Sequence, residues 1–308
     1  MVNTRRAIQG GGRMFSAGLG GNTVFYPAGI GPGTAFFVDT TLGSASNDGL
    51  SWERAFNTIT LAMTAVGNLA SRGRAVIYAA PGGYTEDITT PTNTLAPFCS
   101  LIGINPTMQS RGAAYLASST ATEPNLTVLA RGWSVDGFEF DAPATDGCIM
   151  LSGSGAKFFE LANCLMVGST YASGFAIDTT DANPLVVLRD SYFYQHLNVA
   201  VTSTNVFTLQ WEVARCVFWN NGKHIAPKNS KGWQAGWIHD SIFMDVGSQY
   251  NATLLIDMRG GSTVHVGPNN FLGGTYSNVG GYYAGSGDFW RGNHSSASEN
   301  GSAQANPA

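Results

Sequence analysis

The chain has 308 residues, of which 12% are charged and 44% hydrophobic, with 39 glycines and a formal net charge of −4. So little charge with so much apolar content argues against disorder, and with no basic cluster beyond Arg5-Arg6 there is no electrostatic footprint for nucleic acid. No apolar run is long enough to span a bilayer, and the opening MVNTRRAIQGGGRMF lacks the apolar core of a secretory signal.

In chain order, residues 1–34 read as a glycine-rich arm. Within it Arg5, Arg6 and Arg13 offer polar anchors, and Phe15, Val24, Phe25 and Tyr26 apolar ones. A short strand is expected at Phe36 to Val38, followed by the turn signal SASNDG. Ser51 reads as an N-cap with Glu53 in the first turn, and Phe56, Ile59, Met63 and Val66 mark one apolar face at helical spacing. A helix is therefore expected over 52–69. Ala75 to Ala79 read as a strand, and Pro81-Gly82-Gly83 as a corner.

Beyond the opening, the chain repeats itself. ANCLMV, RDSYFY, ARCVFW and HDSIFM each carry a polar residue, then Cys or Ser, then any residue, then Met or Phe. The large positions Met166, Phe193, Phe218 and Phe243 lie 27, 25 and 25 residues apart, with Phe140 and Phe271 as looser outer members. Such a period, with Gly and Asn at the corners, fits one coil of a parallel β-solenoid. Strand alternation then turns Cys164, Ser191, Cys216 and Ser241 inward beside the Met/Phe column. The cysteines, Cys99 and Cys148 included, read as core thiols without CxxC spacing, so neither a disulfide nor a metal site is expected.

Asn163, Asp190 and Asp240 form a column of corner residues, read as turn chemistry although Arg215 interrupts it. His239 stands next to Asp240, but neighbours on a strand face opposite ways, so the pair is read as unconnected and His239 as an outward surface or interface residue. Leu165, Val167, Tyr192, Tyr194, Val217, Trp219, Ile242 and Met244 face outward, an apolar exterior on consecutive coils that calls for a cover. Another copy, the chain's own arms, or a sugar stacked on Tyr and Trp would each supply one.

The opening also carries Val38, Asp39, Asn47, Asp48, Gly49, Ser51, Trp52, Ala55 and Phe56, then Pro81, Tyr84 and Glu86, with SLIGIN and GWSVDGFEF farther on. This order resembles the start of right-handed parallel β-helix proteins of the pectin-lyase-like superfamily, particularly versions from bacteriophage and environmental viruses. The resemblance implies an all-β fold: a right-handed parallel β-helix over 35–283, with an N-terminal capping helix near 52–69 and extended terminal arms at 1–34 and 284–308. It makes Asp39, Asp48, Tyr84 and Glu86 parts of the cap. The hydrolases of that superfamily carry NTD, paired-aspartate, GHG and RIK strings, which do not occur here; TTDAN and WIHDS are the nearest. A lyase site would have to draw on Asp178, Asp181, Asp190 and Arg189.

The expected function is therefore a virion structural protein, a capsid decoration or cement protein, with no catalytic set, cofactor or metal. Its expected partners are further copies, as a homotrimer, and a major capsid or tail protein, with a host glycan as a further ligand and neither nucleic acid nor membrane. Its place would be the virion, assembled in the host cytoplasm. The alternatives are a tailspike-like or secreted polysaccharide lyase or hydrolase, and a glycan-binding surface module without catalysis.

Overall fold

The computed structural model describes residues 33–69, 74–92, 94–104, 114–143, 146–168, 175–181, 183–203, 208–226, 233–244, 256–258, 263–273, 282–283 and 289–295. The arm anchors Arg5, Arg6, Arg13, Phe15, Val24, Phe25 and Tyr26 lie outside them. Each coil adds one short strand to each of three parallel sheets, here named A, B and C in the order the chain meets them. Sheet A runs from Thr34–Val38 to Phe289–Trp290, sheet B from Gly82–Thr85 to His294–Ser295, and sheet C from Ile88–Thr89 to Tyr282–Tyr283. The fold is the all-β parallel β-solenoid that the repeat implies.

The corner between sheets A and B explains why three-residue strands suffice. A single residue in the left-handed region turns the chain: Asn163, Asp190, Arg215 and Asp240 have φ of 51°, 51°, 52° and 51°. Asn and Asp reach that conformation at low cost. The polar column is thus turn chemistry, and Arg215 is a member of it rather than an interruption. Strand residues on either side keep a fixed register, with Met166 opposite Phe193, Phe193 opposite Phe218 and Phe218 opposite Phe243.

These large side chains are fully buried, and the three phenylalanine rings stack at 4.5 and 4.9 Å with planes 6° and 10° apart. The spacing matches the rise of one coil, about 4.8 Å. Beside them Cys164, Ser191, Cys216 and Ser241 are buried in line. The Ser191 hydroxyl accepts from the Cys164 amide at 3.2 Å, and Ser241 from the Cys216 amide at 3.1 Å. All four cysteines are buried free thiols.

The register of the last coils departs from expectation. Leu272, not Phe271, is the interior residue opposite Phe243, while Phe271 is 37% exposed opposite Ile242. Where Ile238, His239 and Asp240 make the corner, the next coil uses Val266, Gly267, Pro268 and Asn269, with Asn269 at φ 63°. The corner absorbs that one extra residue, so the ladder keeps its facing and the interior position falls one residue later in the sequence than the repeat spacing predicts. Coiling also continues past the boundary expected at 283, because Phe289–Trp290 and His294–Ser295 still pair, and Trp290 is buried.

At the N-terminal end the expected helix is shorter. Trp52–Arg54 make a 3-10 turn, and the α-helix spans Ile59–Gly67 with Ile59, Ala62, Met63 and Val66 buried. Its N-cap is Thr58, and a carboxylate from elsewhere completes the cap: Glu86 accepts from the Ile59 and Thr60 amides at 2.9 and 2.8 Å. Negative charge is favoured there by the exposed amides and the helix dipole. Phe56 instead bridges Val38, covering the outer edge of sheet A. Asp39 accepts from the Thr41 and Leu42 amides, Asp48 pairs with Arg54 at 3.0 Å, and the Tyr84 hydroxyl donates to the Ala80 carbonyl at 2.9 Å. Asp39, Asp48, Tyr84 and Glu86 therefore each have a structural task.

Candidate functional site

Because the interior column of sheet B is fixed, its flanking residues must face outward. Leu165, Tyr192, Val217 and Ile242 form one outer row in register, and Val167, Tyr194, Trp219 and Met244 form the second. Trp219 and Ile242 are 37% and 39% exposed, and the remaining six are half-buried. Three rings cluster at the centre: Tyr192–Tyr194 at 6.3 Å, Tyr192–Trp219 at 6.3 Å and Tyr194–Trp219 at 6.4 Å between centroids. The tilted and edge-on geometry is that of favourable aromatic pairs. One coil earlier the same rows hold Glu139 and Asp141, and Tyr115 donates to Asp141 at 2.7 Å. The apolar face thus begins abruptly at Leu165.

A charged ladder borders this face along the corner from sheet A. Arg189 holds Glu160 at 2.6 Å and Asp190 at 3.0 Å, and Arg215 reaches Asp190 at 2.7 Å. Burial alone would raise the Asp190 carboxyl, but hydrogen bonds and charge from Arg215 and Arg189 hold it below the ordinary range. Arg189 is thus a cation already paired with two carboxylates. Farther along, His239 bonds Asp240 through Nδ1 at 2.7 Å and Glu212 through Nε2 at 3.1 Å. The expectation that His239 and Asp240 do not meet is corrected. Asp240 occupies the left-handed corner, where strand alternation stops.

Of the residues weighed for a lyase site, Arg189 and Asp190 come together, whereas Asp178 lies on the sheet C strand Phe175–Thr179 and Asp181 just after it. Asp178 has other neighbours. Burial raises the Asp146 carboxyl, and the nearby charges of Glu123 and Asp178 raise it further. Glu123 and Asp146 sit in turns outside the repeat and carried no sequence signal. Among the described residues, no group of three or more His, Cys, Asp or Glu side chains is arranged to hold a metal ion. No described helix is long and apolar enough to cross a membrane.

No protein-family model and no curated protein matches the chain. Solved structures do. An alginate lyase from a Paenibacillus species has a TM-score of 0.57 at 13% identity, covering 84% of this chain and 87% of the other. The chain has the fold of a right-handed parallel β-helix. A Bacillus subtilis pectate lyase variant matches this β-helix at a TM-score of 0.56 and 9% identity, over 89% of this chain and 82% of the other. An Aspergillus niger pectin methylesterase matches at 0.53 and 14%, over 91% of both chains. Three differently named enzymes on one backbone at such identities establish the fold, and a fold is not a reaction.

Proposed function

We propose that this β-helix is a virion structural protein of the capsid-decoration type, whose copies associate as a trimer through the outer face of sheet B. The observation that carries the reading is the run of apolar side chains on both outer rows, from Leu165 and Val167 to Ile242 and Met244. Single exposed hydrophobics need no explanation, but a contiguous stripe with an aromatic centre marks a contact surface. Three β-helices side by side bury one sheet face each, and closed rotation uses the same patch on every copy without leaving a growing end. The particle setting is supported by the opening motif, which resembles versions from bacteriophage and environmental viruses. The partner on the particle would be a major capsid or tail protein.

The test is the oligomeric mass of the full chain at micromolar concentration. The parent should sediment as a trimer, and Trp219→Asp should shift it toward monomer while leaving the far-UV spectrum unchanged, because that ring lies outside the core. Truncating a central interface aromatic commonly costs about 2 kcal/mol or more. A monomeric parent, or a variant of unchanged mass, would overturn the reading.

One observation favours the glycan-processing alternative: the mutual charge of Glu123, Asp146 and Asp178 near sheet C. Release of reducing or unsaturated ends from acidic polysaccharides, lost in Asp146→Asn, would establish that reading instead.

A further inference from the structure

The outer face of sheet A carries an aromatic row on its last coils. Glu212, Trp237, His265 and Phe289 stand opposite one another on consecutive strands. Trp237 and Phe289 are 43% and 50% exposed, and His265 is exposed between them. The Trp237 ring is nevertheless held still. Its Nε1 donates to the Gly267 carbonyl at 2.7 Å, and its plane stacks on the His239 ring at 3.9 Å and 26°. His239 is itself bound at both nitrogens, by Asp240 and Glu212. His265 lies nearly parallel to Trp237, 19° apart at 6.4 Å, and meets Phe289 edge-on at 5.1 Å. A large exposed ring fixed in this way loses little freedom on binding, which favours a contact.

Charge decides what such a row can take. One imidazole lies between two carboxylates, so Glu212 and Asp240 keep a net negative charge even when His239 carries both protons. Arg189 and Arg215, on the neighbouring ladder, are already held by Glu160 and Asp190. Glu212 reaches His239 through Oε1, and among the described residues its Oε2 has no partner. Its side chain is 40% exposed and stands one coil, about 4.8 Å, from Trp237. An oxygen that can only accept is thus set beside an exposed indole ring. A purely apolar partner would leave that oxygen without a donor, and an anionic one would be repelled by both carboxylates. A cation answers both features, since Trp is the best ring for cation–π contact. Arginine fits better than lysine, because its planar guanidinium stacks on a ring while its N–H groups donate to a carboxylate.

We infer that this row is a docking site for an arginine-bearing segment of a partner protein, the guanidinium stacked on Trp237 and bonded to Glu212. The site is separate from the apolar face on sheet B and does not depend on trimer formation. The experiment titrates the full chain into fluorescein-labelled peptides in which Gly alternates with Arg, Lys or Glu, and reads anisotropy. The arginine peptide should bind saturably and several-fold tighter than the lysine peptide, and the glutamate peptide should not bind. Trp237→Ala should weaken the arginine peptide about tenfold, and Glu212→Gln should weaken it while removing much of its salt dependence. Far-UV spectra should stay unchanged, because both side chains lie outside the core. Trp219→Asp should leave this binding intact, so a failed trimer and a failed arginine site are told apart. Equal binding of the arginine and lysine peptides would mean general charge attraction, and unchanged affinity in Trp237→Ala would put the contact elsewhere. A lowered oligomeric mass in Trp237→Ala would put a second copy on the row. Any of these, or no saturable binding at all, overturns the inference.

Discussion

The Arg215 guanidinium grips both oxygens of Asp190 across one coil, Nε to Oδ1 at 2.7 Å and Nη2 to Oδ2 at 2.9 Å. Both residues occupy the same left-handed corner, so the pair ties one turn of the solenoid to the next at the place where the backbone is least suited to an arginine. Arg215 is half exposed, which limits the gain, whereas Arg189 on the other side of Asp190 is 13% exposed.

Asp190→Asn, which keeps the left-handed corner, should therefore cost about 1–2 kcal/mol at neutral pH, mostly by leaving Arg189 short of a charged partner. The Asp190 carboxyl is held below its ordinary value of 3.8, so its contribution is complete above that pH and is lost as pH falls through the lower folded value. Urea midpoints of parent and variant should converge below pH 3.8. A constant gap there would show that the loss is packing and not charge.

The cysteines should be inert in the folded protein. Burial pushes the Cys216 thiol up to about 12 and raises Cys164 further, so little reactive thiolate forms near neutral pH. Maleimide labelling of both should be on the order of a hundredfold slower in the native protein than in urea, since modification needs local opening. Fast native labelling would break the inward register of sheet B.

Two histidines should make the protein acid-sensitive. His224 lies beside the stacked rings of Phe218 and Phe243, 5.8 Å from each, and His196 bonds the Met166 carbonyl at 3.2 Å. Both are fully buried, and burial lowers His196 from 6.5 to about 4 and His224 to about 3. The folded state keeps both rings neutral, so below pH 6.5 the unfolded chain binds more protons and stability falls with acid. The slope should be about 1.4 kcal/mol per pH unit for each histidine. His224→Phe should roughly halve it between pH 6 and 5; an unchanged slope would mean that His224 is not the group that titrates.

The sequence made sheet B legible because one corner residue and one period fix its register from Met166 to Phe243. The same logic failed where an extra residue enters before Asn269, since a corner lengthened by one looks unremarkable in the string GPNN. His239 and Asp240 were misjudged because alternation was carried through a residue that is not in a strand. The helix start at Ile59 depended on Glu86, a cap that adjacent-residue rules do not reach. Phe158 and Leu185, at φ of 58° and 60°, gave no turn signal, because bulky apolar residues are uncommon in left-handed corners.

The helix Ile59–Gly67 packs at one end of the stack, where Thr34–Val38 pairs with Ala75–Ala79 over five residues, whereas at the other end Phe289–Trp290 and His294–Ser295 pair over two each. Coils touch only their neighbours, so stability is passed along by adjacent interfaces rather than shared by the whole. The molecule therefore has a direction. Under pulling or gentle denaturation it should fray from the C-terminal coils and unzip toward the helix, with the stacked rings of Phe243, Phe218 and Phe193 parting in that order.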